Sequence, residues 1–130
     1  MRCKSILIVE DEPDIRETLK ELLVLEGYNV YTASNGLEGI RLLRTIPSPC
    51  VILLDILMPV MDGNEFLKAK GNEDRIATIP VGIVSGIADT PPLANGVAAY
   101  IKKPIEFELL LKFVMKYCQK NVVDLKVTHG

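Results

Sequence analysis

The sequence predicts an α/β fold, a doubly wound five-stranded parallel sheet with helices on both faces. Three observations predict it. Short apolar, β-branched runs recur along the chain and alternate with stretches of helical periodicity. The run before Asp55, Cys50-Val51-Ile52-Leu53-Leu54, is apolar without a break, the pattern of a strand buried on both faces. Polar residues suited to chemistry follow several of these runs directly, at the carboxyl edge where ligands bind to open parallel sheets.

Each element has its own warrant. Ile6-Leu7-Ile8-Val9 is long enough for a buried strand and too short for a helix. Glu10-Asp11-Glu12 follows, and Pro13 suits a first helical turn, where a missing N–H costs nothing. Ile15, Leu19, Leu22 and Leu23 repeat at helical spacing until Gly27 stops them. Val30-Tyr31-Thr32-Ala33 reads as the second strand. Asn35-Gly36 opens a second helix through Leu37, Ile40 and Leu43 or Arg44, broken by Pro47 and Pro49. Beyond Gly63 a helix is expected over Glu65 to Lys70, ending near Gly71-Asn72. Pro80-Val81-Gly82-Ile83-Val84 is the fourth strand, with Ser85 at its end. Ala98-Ala99-Tyr100-Ile101 is the fifth, running into Lys102-Lys103-Pro104. Phe107, Leu110, Leu111, Val114 and Cys118 mark one face of the last helix.

The stretch between the fourth and fifth strands is unusual. Pro91-Pro92 interrupts it, so the helix expected there is shortened or irregular, through Leu93 and Ala94 to a stop at Asn95-Gly96. One domain is expected over residues 1–120, followed by a tail over 121–130 whose Val122, Val123, Leu125 and Val127 either dock or fray.

Bulk properties narrow the function classes. With 130 residues, 48% hydrophobic and 25% charged, the chain has room for one packed core and no signature of disorder. A net charge of -2 supplies no basic field, which argues against nucleic-acid binding by this domain alone. No apolar run reaches the ~20 residues that span a bilayer, and no secretory signal precedes the domain. Cys3, Cys50 and Cys118 lack metal-ligand spacing and are expected to be reduced, in a cytoplasmic protein.

The strand ends carry the chemistry. In the order 2-1-3-4-5 the first and third strands are neighbours at the switch point, so Glu10 and Asp11 face Asp55. Three carboxylates repel unless they share a cation, and an all-oxygen set suits Mg²⁺. Ser85 adds a hydroxyl and Lys103 an ammonium that complements a phosphoryl group. These are the parts for phosphoryl transfer to an aspartate. Taken singly, each has a plainer reading. The acids favour a helix N-terminus, Ser85 caps or turns, Lys103 is a solvated cation, and Tyr100 packs in the core or at an edge. Their order along the chain tips the balance.

In that order the residues resemble the receiver domains of two-component response regulators, whose fold is flavodoxin-like. The resemblance runs from about Lys4 to Cys118. It rests on Ile6-Leu7-Ile8-Val9-Glu10-Asp11-Glu12-Pro13, on Asp55-Ile56-Leu57-Met58-Pro59-Val60-Met61-Asp62-Gly63 and on Lys103-Pro104. It implies that Asp55 is the phosphoacceptor and that Glu10, Asp11, Asp55 and the backbone carbonyl of Leu57 serve Mg²⁺. It also implies that Lys103 binds the phosphoryl group, with Ser85 and Tyr100 as switch residues. The implied donor is a sensor histidine kinase or a histidine phosphotransfer protein, and the implied role is a signalling switch in a phosphorelay, not an enzyme. Output would pass to a partner the sequence does not identify, a second copy of the chain among the candidates, or the chain is part of a longer regulator. Leu57 and Ile87, two residues past Asp55 and Ser85, are both apolar, which implies slow loss of phosphate.

Two rivals belong to other classes. Phosphatases of the haloacid dehalogenase type also use an aspartate with Mg²⁺, but want a second Asp where this chain has Leu57. A phosphorylation-independent interaction module on the same fold is kept in view by the unusual stretch after Ser85. A flavin or nucleotide site is disfavoured, because no glycine-rich loop follows the first strand.

Overall fold

Ile6 to Val9, Val51 to Leu54 and Val81 to Val84 present apolar side chains to both faces, so burial is complete only where both faces are covered. They occupy the centre of the sheet. The computed structural model describes residues 4–86 and 96–118. Its strands are β1 (Ser5–Val9), β2 (Asn29–Ala33), β3 (Val51–Asp55), β4 (Val81–Ser85) and β5 (Val97–Lys102). All pairings are parallel, in the order β2-β1-β3-β4-β5, the flavodoxin-like order expected. Every residue of β3 and β4 is buried, whereas the edge strands β2 and β5 are partly exposed.

Among the described residues, α1 (Pro13–Leu25), α2 (Gly36–Leu43), α3 (Gly63–Gly71) and the short α4 (Asp74–Ala77) lie between strands, and α5 (Phe107–Tyr117) follows β5. Alternation along the strands divides the core in two. Leu7, Val9, Ile52 and Leu54 pack with Ile40, Leu43, Phe66 and Ile76 of α2, α3 and α4. Ile6, Ile8, Val51 and Leu53 pack with Leu19, Leu23, Leu110 and Phe113 of α1 and α5. Fully burying one such side chain contributes about 1.5–3 kcal/mol. Gly82 of β4 makes room for α5, since a Cβ there would lie 2.5 Å from the Phe113 ring.

Local chemistry sets the helix starts. The Asn35 side chain accepts from the Glu38 N–H and caps α2. Asp62 and Glu65 form a reciprocal capping box that starts α3 at Gly63, two residues before the sequence-based start. α4 was not expected, because four residues show no periodicity.

Cys50 corrects the expectation of three reduced thiols. It is disulfide-bonded, while Cys118 is free and buried. The Cys50 N–H donates to the Ser5 carbonyl, so the fold brings this residue beside the start of β1, a proximity that spacing in the sequence does not reveal. Burial pushes the Cys118 thiol up to about 12, consistent with an inert core residue. Among the described residues, no helix is long and apolar enough to cross a membrane. Cys3, Ile87, the Pro91-Pro92 stretch through Asn95 and the 121–130 tail lie outside the described residues.

Candidate functional site

Register assembles the site. Val9 pairs with Leu54 across β1 and β3, which sets Glu10, the next residue after β1, beside Asp55 at the end of β3. Asp55 pairs with Val84, so Ser85 stands one step further along β4. Ser85 pairs in turn with Lys102, and the Lys103 N–H donates to the Ser85 carbonyl at 2.9 Å. Four strand ends, those of β1, β3, β4 and β5, thereby converge on one edge. Asp11, Glu12, Asp55, Leu57, Ser85, Gly86 and Lys103 line a cleft of about 380 Å³ there.

One carboxylate oxygen from each of Glu10, Asp11 and Asp55 lies within 4.8 Å of the others, a spacing that can hold a metal ion. Glu10, Asp55 and Ser85 are buried. The Lys103 ammonium reaches Glu10 at 3.1 Å, Glu12 at 3.6 Å and Asp55 at 3.7 Å. The peptide bond from Lys103 to Pro104 is cis.

The electrostatics follow from this crowding. Burial pushes the Asp55 carboxyl up to about 7, the charge of Glu10 adds to the rise, and Lys103 opposes it. Burial also disfavours the Lys103 charge, but Glu10 and Asp55 outweigh it and the net shift is upward. The acids thus carry more negative charge than the one lysine offsets. A hard divalent cation relieves that excess, and the donor set of carboxylate oxygens without nitrogen or sulfur fits Mg²⁺.

The loop after β3 is shaped by two backbone demands. A Cβ on Gly63 would lie 2.7 Å from the Asp55 carbonyl oxygen, so only glycine lets α3 begin this close to the site. The Met61 N–H donates to the Pro59 carbonyl at 2.8 Å, closing a γ-turn centred on Val60, whose φ is 71°. For a β-branched residue this left-handed conformation stores strain of about 1–3 kcal/mol.

Two expected residues are exposed, and one of them lies outside the cleft. Leu57 lies at the mouth, 66% exposed. Tyr100 sits on the outward side of β5, 42% exposed, and does not line the cleft. Sequence reasoning missed Arg16, whose Nη1 donates to the carbonyl oxygens of Glu10 at 2.9 Å and Asp11 at 3.4 Å. On a helix it reads as a solvated charge, and only its spacing from the acidic pair hints at more.

The chain is similar to known proteins in sequence and in fold. A family described as response regulator receiver domain matches residues 6–115. Hybrid signal transduction histidine kinase D of Dictyostelium discoideum is 35% identical over 114 residues, 85% of this chain. The chain spans 7% of that kinase's length, and about half the length of other curated relatives it matches. The signal receiver domain of a signal transduction histidine kinase from Syntrophus aciditrophicus superposes with a TM-score of 0.78 at 33% identity, covering 88% of this chain and 89% of that one. The response regulator TrrA of Thermotoga maritima, in complex with Mg(2+)-BeF, gives a TM-score of 0.74 at 32% identity, covering 87% and 97%.

Proposed function

The chain belongs to the response regulator receiver domain family, and from that premise we propose that Asp55 takes a phosphoryl group from a phosphohistidine of a sensor histidine kinase or histidine phosphotransfer protein. The observation that carries this reading is the meeting of Glu10, Asp11 and Asp55 within 4.8 Å of one another, beside Lys103. A carboxylate oxygen of Asp55 forms the new O–P bond as the P–N bond of the donor breaks. The imidazole leaves with the electron pair and is protonated from solvent. Glu10, Asp11, Asp55 and the Leu57 carbonyl would hold Mg²⁺, which supplies positive charge for the phosphoryl oxygens. The likeness to TrrA with its Mg(2+)-BeF supports this.

Lys103 has a role of its own. Already within 3.7 Å of Asp55, its ammonium turns to the new phosphoryl oxygens once they arrive. Ser85 is buried and lines the same cleft, and we assign it and Tyr100 to the switch that reports phosphorylation. The receiver unit covers 1–120 and the tail 121–130. The domain acts as a switch, not a turnover catalyst. Its partners are the phosphodonor and an output protein, with no nucleic acid or membrane bound by the domain itself. A cytoplasmic location is the natural one for such a donor, although it draws no support from the cysteines.

The test is intact mass after incubation with Mg²⁺ and a small phosphodonor such as acetyl phosphate. The parent should gain one phosphoryl group and Asp55→Asn none. A phosphorylated Asp55→Asn would falsify the assignment, and steady turnover of a generic phosphate ester would revive a phosphatase.

A further inference from the structure

Adjacent residues of an extended chain point their side chains to opposite sides. Glu10 and Asp11 nevertheless bring their carboxylates to within 4.8 Å of Asp55, so the backbone must turn between them. That turn has to persist against the mutual repulsion of the acids it delivers. It is pinned from several directions. The Glu10 N–H donates to the Ala33 carbonyl at 3.0 Å, and the Glu12 N–H donates to the Glu10 carboxylate at 3.2 Å. The two carbonyls of the turn, those of Glu10 and Asp11, are both taken by a single atom, Nη1 of Arg16.

We propose that Arg16 is a positioning residue for the metal site, its guanidinium fixing the turn that aims Glu10 and Asp11 at a shared cation. The inference rests on the Mg²⁺ reading above and extends it to a residue that does not touch the metal. Arg16 is itself held in place. Its Nε lies 3.7 Å from Glu17, and it lines a small depression with Thr32, Ser34 and Glu38 behind the acids. There the Glu38 carboxylate accepts from the N–H and the hydroxyl of Ser34. These bonds, followed by the charge of Arg16, hold Glu38 below the usual carboxylate range, so an anion faces the guanidinium from the β2–α2 turn.

Charge and position make opposite predictions, and this makes the inference testable. Arg16 is a cation near a cation site, so as a bulk charge it repels Mg²⁺, and removing it would tighten binding. As a positioner it preorganises the acids, and removing it weakens binding. Calorimetric titration with Mg²⁺ at pH 8 reads the sign directly for the parent, Arg16→Met and Arg16→Lys. The expected result is 10–100-fold weaker binding for Arg16→Met, the usual range for groups that orient metal ligands. A smaller loss is expected for Arg16→Lys, which keeps the charge but not the fork. Hydrogen exchange in metal-free protein should quicken at the Glu12 amide in both. Equal or tighter Mg²⁺ binding by Arg16→Met overturns the proposal. If that variant does not fold, parental affinity in Arg16→Lys overturns it as well. A parent that binds no Mg²⁺ at all removes the metal reading itself, an outcome distinct from either.

Discussion

Lys103 and Lys70 sit at opposite ends of the same sheet, and their surroundings push their ammonium groups in opposite directions. Lys103, at the carboxyl edge, is ringed by Glu10, Glu12 and Asp55, and its pKa is raised despite burial. Lys70, at the end of α3, is 1% exposed. Among the described residues it has no ion pair, and its bond is to the Ala77 carbonyl at 2.7 Å. The charged residues on α4 and at its N-cap are turned elsewhere. Glu73 binds Arg44, Arg75 binds Ser48 and the Leu43 carbonyl, and Asp74 is exposed. Burial alone therefore lowers the Lys70 pKa. The first lysine offsets an excess of negative charge at a working site. The second carries an uncompensated desolvation penalty in a region whose task is to close the fold.

The largest expected effect comes from breaking the first environment. Lys103→Met leaves three acids without their cation and should destabilise the metal-free protein at pH 8 by about 2 kcal/mol, since removing one partner of a buried pair strands the other. Saturating Mg²⁺ should recover most of this. Urea unfolding with and without the metal measures both, and an identical loss in each would mean that Lys103 acts by packing alone.

Lys70→Met should have the opposite sign. A side chain of similar size without the charge removes the desolvation cost and gives up one hydrogen bond, for a net gain of about 1 kcal/mol at pH 7. The pH dependence sharpens the point. Because the folded pKa of Lys70 is below its unfolded value, the unfolded chain binds more protons in the window between the two. Parent stability therefore rises with pH there, and the gap to Lys70→Met should narrow as pH approaches the ordinary lysine value of about 10.5. A gap that stays constant from pH 7 to 10 would show that Lys70 is not titrating in the folded state.

The smallest effect is expected from Arg44→Ala, whose partner Glu73 lies on the surface. Exposed pairs contribute little, so thermal melting should not separate this variant from the parent. A clear drop in Tm would blur the contrast between buried and solvated cations drawn from Lys103 and Lys70.

These lysines also mark how far the sequence could be read. Asp55, Glu10 and Lys103 were legible because each stands at the end of an apolar run, and a parallel sheet gathers such ends at one edge. The parallel sheet followed from alternation with helices, and its strand order is the flavodoxin-like one. Lys70 was not legible, because in Lys68-Ala69-Lys70 it reads as one more solvated helical charge. Its burial depends on α4 and Gly96 closing over it, and a Cβ at Gly96 would lie 3.2 Å from its Nζ. Tyr100 was placed by resemblance, and its outward orientation on β5 is a fact of tertiary packing. The disulfide at Cys50 was missed for the same reason, since spacing along the chain says nothing of proximity in space.

The parallel register bears on how the molecule folds. Ser5 pairs with Asn29, and Ile6 pairs with Val51, so β1 finds neither neighbour nearby in sequence. Each pairing closes a long loop before any contact rewards it, which makes such topologies slow to form compared with hairpins. Glu10 and Asp55 meet only when the second of these loops has closed. No local fragment, and no intermediate lacking the β1–β3 ladder, contains the acidic cluster. Divalent metal would therefore bind the native chain and not its precursors, drawing the folding equilibrium forward by mass action without guiding the early search.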